Sequence, residues 1–171
     1  EIARAARSCS EDVASAVDSA ARTQPGWAQR TPVARGEVLY AIARNMRARA
    51  EALATVVALE TGMSFSAASG ETGGAIAQAE FMAGEGRRMY GRTTTSGVPD
   101  KYAMTVREPM GVAGLIIAAN TPIANLAWKV FPALICGNAA IAVAMVVIPG
   151  MAPMTPGGKN FARSLPPSIT I

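Results

Sequence analysis

The chain has 171 residues, 50% of them hydrophobic, which is enough apolar material for a core. Its net charge of +4 comes from arginines interleaved with acids, and no basic run with interleaved aromatics is present, which argues against a nucleic-acid partner. There is no histidine, and the two cysteines, Cys9 and Cys136, have neither a metal spacing nor a disulfide framework; His-based triads and the commonest zinc ligand are thereby excluded.

Ser10 followed by Glu11 and Asp12 predicts a helix start, with Val13, Ala16, Val17 and Ala20 forming one apolar face and Pro25-Gly26 ending it. Trp27 just beyond is read as packing the helix end onto a neighbour. Thr31-Pro32 then starts a second helix, with Thr as cap and Pro at the first helical position. Leu39, Ile42, Met46, Leu53, Val56 and Val57 carry one face of it through to Glu60, and Thr61-Gly62 closes it. Arg35, Arg44, Arg47 and Arg49 are assigned to a solvated face. A third helical stretch, about Ser66 to Tyr90, is weakened by Gly70, Gly73, Gly74, Gly84 and Gly86, none of which forms a dinucleotide fingerprint after a strand.

From Arg92 to Glu108 the residues become β-like around Gly97-Val98-Pro99-Asp100, which predicts a hairpin whose open edges want a partner sheet. The apolar run from Val112 to Ala119 then reads as a buried strand, stopped by Asn120-Thr121-Pro122. Ile123, Leu126, Ala127, Val130 and Phe131 follow at helical spacing. Asn120 is the polar group at the junction, where an open α/β sheet binds its ligands; it also has the chemistry to cap the following helix. A second strand is expected from Ala139 to Val147, and residues 148–171, rich in Pro and Gly, are expected to be irregular.

Between Pro109 and Gly158 the sole formal charge is Lys129, and Val130 to Pro149 is about as long as a membrane-spanning helix. Pro132 and Gly137-Asn138 interrupt that run, so two buried elements of an α/β core are preferred over a span. No basic-then-apolar leader precedes the first helix, and together with the cysteine usage this gives an expected cytoplasmic setting.

Arg107-Glu108-Pro109, Gly111 to Gly114, Asn120 to Pro122, Ala127-Trp128-Lys129, Pro132 to Leu134 and Gly137-Asn138 follow one another in order over one strand and helix. This series resembles the aldehyde dehydrogenase superfamily, and Glu60-Thr61-Gly62 extends the resemblance toward the N-terminus. It implies an α/β chain similar to roughly the first third of an NAD(P)-dependent enzyme that oxidises an aldehyde to a carboxylic acid. Its parts would be an N-terminal helical layer (residues 1–91), a bridging hairpin (92–108) and the first strand-helix-strand of a Rossmann-like domain (109–147).

On the resemblance, the side-chain amide of Asn120 is the oxyanion donor and Lys129 lies near the active site as a proton relay; alternatively Lys129 packs its stem and reaches water. Ile116, Ile117, Ala118, Ala119 and Asn120 would contact NAD or NADP. Val143 stands where the family has the Lys that holds the cofactor ribose, so cofactor affinity is expected to be weak. Cys136 is read as an inert core thiol, and neither Glu85 nor Glu108 matches the family's general base. The resemblance further implies a homo-oligomer, or pairing with a larger homologue, through the 92–108 hairpin, and a small aldehyde as substrate. The alternatives are a noncatalytic interaction module and a small membrane-associated protein.

Overall fold

The structure, a computed structural model, describes residues 8–144. The expected Pro/Gly-rich tail and the last residues of the expected second strand lie outside them.

Four helices come first: α1 (Ser10–Ala28), α2 (Pro32–Ala48), α3 (Ala50–Thr61) and α4 (Phe65–Glu85). A two-stranded antiparallel ribbon follows, β1 (Thr93–Thr95) and β2 (Tyr102–Met104), with Thr94 opposite Ala103. Then come β3 (Val112–Ile117), α5 (Pro122–Ile135) and β4 (Ala139–Ala144), the two strands pairing in parallel from Val112 opposite Ala139 to Ile117 opposite Ala144. A parallel pair needs a crossover, and α5 is that crossover. The chain is an α/β fold in which the helices and the strand-helix-strand unit share one core.

Several boundaries depart from the sequence expectations for local reasons. Cys9, not Ser10, precedes α1, and its backbone N–H donates to Asp12 Oδ2 at 2.9 Å. Pro25 does not end α1, which continues to Ala28 with the Gln29 amide bonded to the Pro25 carbonyl at 3.0 Å. Val13 and Val17 on its expected apolar face remain 40% and 41% exposed, while Ala16 and Ala20 border a shallow cavity against Ala139, Ala140 and Ile141 of β4. The second expected helix is two, broken at Arg49, whose φ of −118° and ψ of 19° leave the helical region. Val56 is half exposed beside the buried Val57, as neighbours about 100° apart around a helix must be. Thr31 does cap α2, accepting from Ala34 N–H, and Gly62 closes α3 in the left-handed region.

The main core joins Leu39 and Ala43 of α2, Ala75, Ala79 and Ala83 of α4, and Ala127, Phe131 and Ile135 of α5. Alanines at a four-residue repeat make α4 a shallow ridge, so two neighbouring helices approach it closely. Gly36 of α2 is the tightest point of that approach: a Cβ there would lie 2.5 Å from the Ala83 carbonyl oxygen. Gly36→Ala is therefore expected to destabilise the chain by about 1–3 kcal/mol through overpacking, although alanine is the better helix former. Urea unfolding followed by circular dichroism checks it; a stabilised variant would contradict the contact.

Arg44, Arg47 and Arg49 are exposed as expected, with Arg47 paired to Glu80 at 2.6 Å. Arg35 is not: it is 5% exposed, inside the core. The described part of the stretch after Pro109, with Lys129 its sole charge, divides into strand, helix and strand, and no helix among the described residues is long and apolar enough to cross a membrane.

Candidate functional site

The candidate site is the turn between β3 and α5, at the carboxyl end of the parallel pair. β3 stops at Ile117, two residues earlier than the apolar run alone implied, so Ala118, Ala119 and Asn120 form the turn itself. Asn120 is exposed. It is not the helix cap, because Thr121 takes that position with φ −142° and ψ 71° and makes no side-chain cap bond.

The free amides of the first turn of α5 are instead taken up from another helix. Glu71 of α4 accepts from the Ile123 amide at 2.9 Å and the Ala124 amide at 3.1 Å through the same oxygen, Oε1. Asn125, one turn into α5, reaches back: its Nδ2 donates to Thr121 Oγ1 at 2.8 Å and, more weakly, to Asn120 Oδ1 at 3.4 Å. The Asn120 amide therefore has its oxygen on a donor. Its Nδ2 is left facing away from that bond.

Among the other residues singled out from the sequence, Ile116 is 66% exposed and Ile117 is 3% exposed, so adjacent positions of β3 point to opposite faces, as a strand requires. Ala118 is exposed and Ala119 half-buried. Lys129 is exposed, and its ammonium donates to the Ile116 carbonyl, which ties the middle of α5 to the end of β3. The structure thus brings Lys129 and Ile116 together, and links Asn120 with Thr121 and Asn125.

Cys136 is not a core thiol. It is exposed, at the C-terminal cap of α5, beside a shallow cavity of about 170 Å³ bordered by Met82, Arg88 and Arg107. It is also remote from Asn120, since the helix between them is roughly 20 Å long at 1.5 Å per residue. The two cannot act on one carbonyl.

The C-terminal end of α5 is bound to the helical layer as firmly as its start. Gly137, with φ +87°, and Asn138 close it by a Schellman pattern, their amides bonding the Leu134 and Ala133 carbonyls at 2.9 and 3.1 Å. Trp27 Nε1 donates to Leu134 O at 2.8 Å, Gln24 to Gly137 O at 3.0 Å and Arg35 Nε to Ile135 O at 2.9 Å. Trp27 thereby packs its helix end onto a neighbour, as read from the sequence. Asn138 Oδ1 accepts from the Met110 and Gly111 amides at 2.7 and 3.0 Å, holding the start of β3 against the end of α5.

Residues 1–149 match the aldehyde dehydrogenase family. The chain belongs to that family. It is 38% identical to the α-ketoglutaric semialdehyde dehydrogenase of Bacillus subtilis over 134 residues, covering 78% of this chain and 28% of that enzyme. Over 140 residues it is 37% identical to the 3,6-anhydro-alpha-L-galactose dehydrogenase of Streptomyces coelicolor, covering 82% and 28%. Its fold matches an NAD-dependent aldehyde dehydrogenase from Sinorhizobium meliloti with a TM-score of 0.77 and 27% identity, over 81% of this chain and 28% of that one. A betaine aldehyde dehydrogenase double mutant from Staphylococcus aureus, in complex with NAD+, matches with a TM-score of 0.75 and 29% identity, over 78% and 28%. The chain spans little more than a quarter of the length of each of these relatives.

Relatives of this family bind a nicotinamide cofactor, as the Staphylococcus structure does. The position that the resemblance assigns to the ribose contact is held here by Val143. Val143 is half-buried in β4 opposite Ile116 and offers only hydrocarbon.

Sequence reading missed Glu71, Asn125 and Arg35. For two of them a signal existed: Glu71 lies four residues before Ala75 and Arg35 four before Leu39, each in register with a buried stripe.

Proposed function

We propose that this chain is the part of an aldehyde-oxidising enzyme that presents the oxyanion donor, and that alone it does not turn over. The observation carrying this is the Asn120 amide: it is exposed at the end of β3, with its oxygen accepting from Asn125 and its Nδ2 without a hydrogen bond among the described residues. A carbonyl approaching that nitrogen would meet a fixed donor as negative charge grows on its oxygen. Oxidation by the family route also needs a thiolate, a nicotinamide and a carboxylate base. Cys136, at the far end of α5, supplies no nucleophile here. NAD or NADP, when bound, would accept the hydride; Ile116 to Asn120 would form its strand-side wall, with little grip from Val143.

Lys129 holds the end of β3 through the Ile116 carbonyl and stands ready to relay a proton from its exposed side. The hairpin is the proposed oligomer contact, because Tyr102, Met104 and Val106 are each more than two-thirds exposed on a ribbon with open edges. A small aldehyde is the substrate this reading implies, in a cytoplasmic setting. The domain divisions at residues 91/92 and 108/109 belong to the same proposal.

Complementation tests the reading. The chain is co-expressed with the remaining length of a family member that carries the nucleophilic cysteine and general-base glutamate. Aldehyde-dependent reduction of NAD or NADP is expected from the pair and from neither part alone. Asn120→Ala should lower the rate of the pair by about 10²–10³-fold, the usual loss for one oxyanion donor. Activity indifferent to Asn120→Ala would overturn the assignment.

A further inference from the structure

We propose that Glu71 is a positioning residue: reaching from α4, it fixes the first turn of α5 and, through that turn, the aim of the Asn120 amide. The functional weight of this rests on Asn120 being the oxyanion donor, while the clamp itself stands on geometry.

The donors at the start of α5 can be followed one by one. Pro122 has no N–H, and the Ile123 and Ala124 amides both go to Glu71 Oε1. The Asn125 amide already bonds the Thr121 carbonyl at 2.9 Å. Thr121 contributes no side-chain cap. Glu71 is therefore the whole of the N-terminal cap, delivered from 52 residues away in sequence. An acid is the right group for this end, because the amides and the helix dipole present partial positive charge there.

What the cap holds is the turn that orients Asn120. Asn125 can bond Thr121 and Asn120 only while residues 122–125 are wound, since its reach back across one turn depends on helical spacing. Without Glu71 two partly buried amides lose their acceptor, and the least costly escape is to unwind that first turn toward water. Asn125 then swings away, and the Asn120 amide is free to rotate. The second carboxylate oxygen, Oε2, is buried with no partner among the described residues, so the side chain is held by its two amide bonds and by packing.

Hydrogen exchange of the full chain, followed by mass spectrometry on peptides spanning residues 121–126, tests this without aldehyde or cofactor. Its failure is thus separate from failure of the oxyanion reading. In Glu71→Ala those amides are expected to exchange about tenfold faster, the equivalent of one lost hydrogen bond, while peptides from α2 and the second half of α4 keep their rates. Glu71→Gln retains an acceptor oxygen at the same reach and should restore most of the protection. Glu71→Asp keeps the charge but withdraws it by one methylene, and should leave the same peptide faster without unfolding the helices. Unchanged exchange at 121–126 in the alanine and aspartate variants would overturn the proposal. So would acceleration spread equally over all helices, or a glutamine variant no slower than alanine.

Discussion

Replacing Arg35 by alanine should destabilise the chain by about 3–5 kcal/mol, because up to three carbonyls lose their donor and each buried one left unpaired costs about 1–3 kcal/mol. The guanidinium fork lies between two helix ends. Its Nε donates to Ile135 O of α5 at 2.9 Å, and its Nη1 donates to Ala28 O at 3.1 Å and to Arg30 O, at and just beyond the end of α1. Both helices present their negative dipole ends there, so a cation with no carboxylate partner among the described residues is still well placed. Burial pushes the Arg35 guanidinium below its ordinary pKa, with Cys136 acting in the opposite direction.

Arg35→Lys should recover only part of the loss, since an ammonium cannot span three acceptors arranged for a planar fork. Arg35→Met keeps the apolar stem and removes every donor, and so separates packing from hydrogen bonding. Gly137 belongs to the same contact: a Cβ on it would lie 3.3 Å from the guanidinium carbon, in a backbone with φ +87°. Urea unfolding of the three Arg35 variants is the measurement. A loss below about 1 kcal/mol for the alanine variant would show that water replaces the guanidinium at little cost.

Arg35 and Glu71 together explain how the helices and the strand-helix-strand unit form one body. The acid meets the amide end of α5 and the base its carbonyl end, each from a helix of the preceding layer. The same helix carries the Asn120 turn at its start. Packing of the helical layer is thereby linked to the aim of the candidate site.

The order of elements was legible because its signals are local. Thr31-Pro32 marks a helix start whatever surrounds it, and an apolar run broken by Asn-Thr-Pro marks a strand leaving a sheet. The break at Arg49 was not legible, since the apolar spacing from Leu39 to Val57 runs on through it. The change is in the backbone, not in the pattern of side chains. The cap of α5 is not legible for the opposite reason: Asn120 has the right chemistry, but the amides it would serve are taken by a residue on another helix. Long-range partners leave no trace in local spacing. Arg35 and Glu71 were visible only as charges in register with a buried stripe, a pattern easily taken for a solvated face in a chain rich in arginine. The apolar neighbours of Cys136 imply a core position, but as C-cap of α5 it is exposed.

Aldehyde-dependent reduction of NAD and NADP by the chain alone tests most directly whether it lacks a nucleophile of its own. Purified chain, each dinucleotide and a panel of small aldehydes are mixed, and absorbance of the reduced cofactor is followed. No hydride transfer above the protein-free rate is expected, with the parent chain and Cys136→Ser indistinguishable. Turnover by the parent chain that Cys136→Ser abolishes would contradict the account, since the thiol at the far end of α5 would then be the nucleophile.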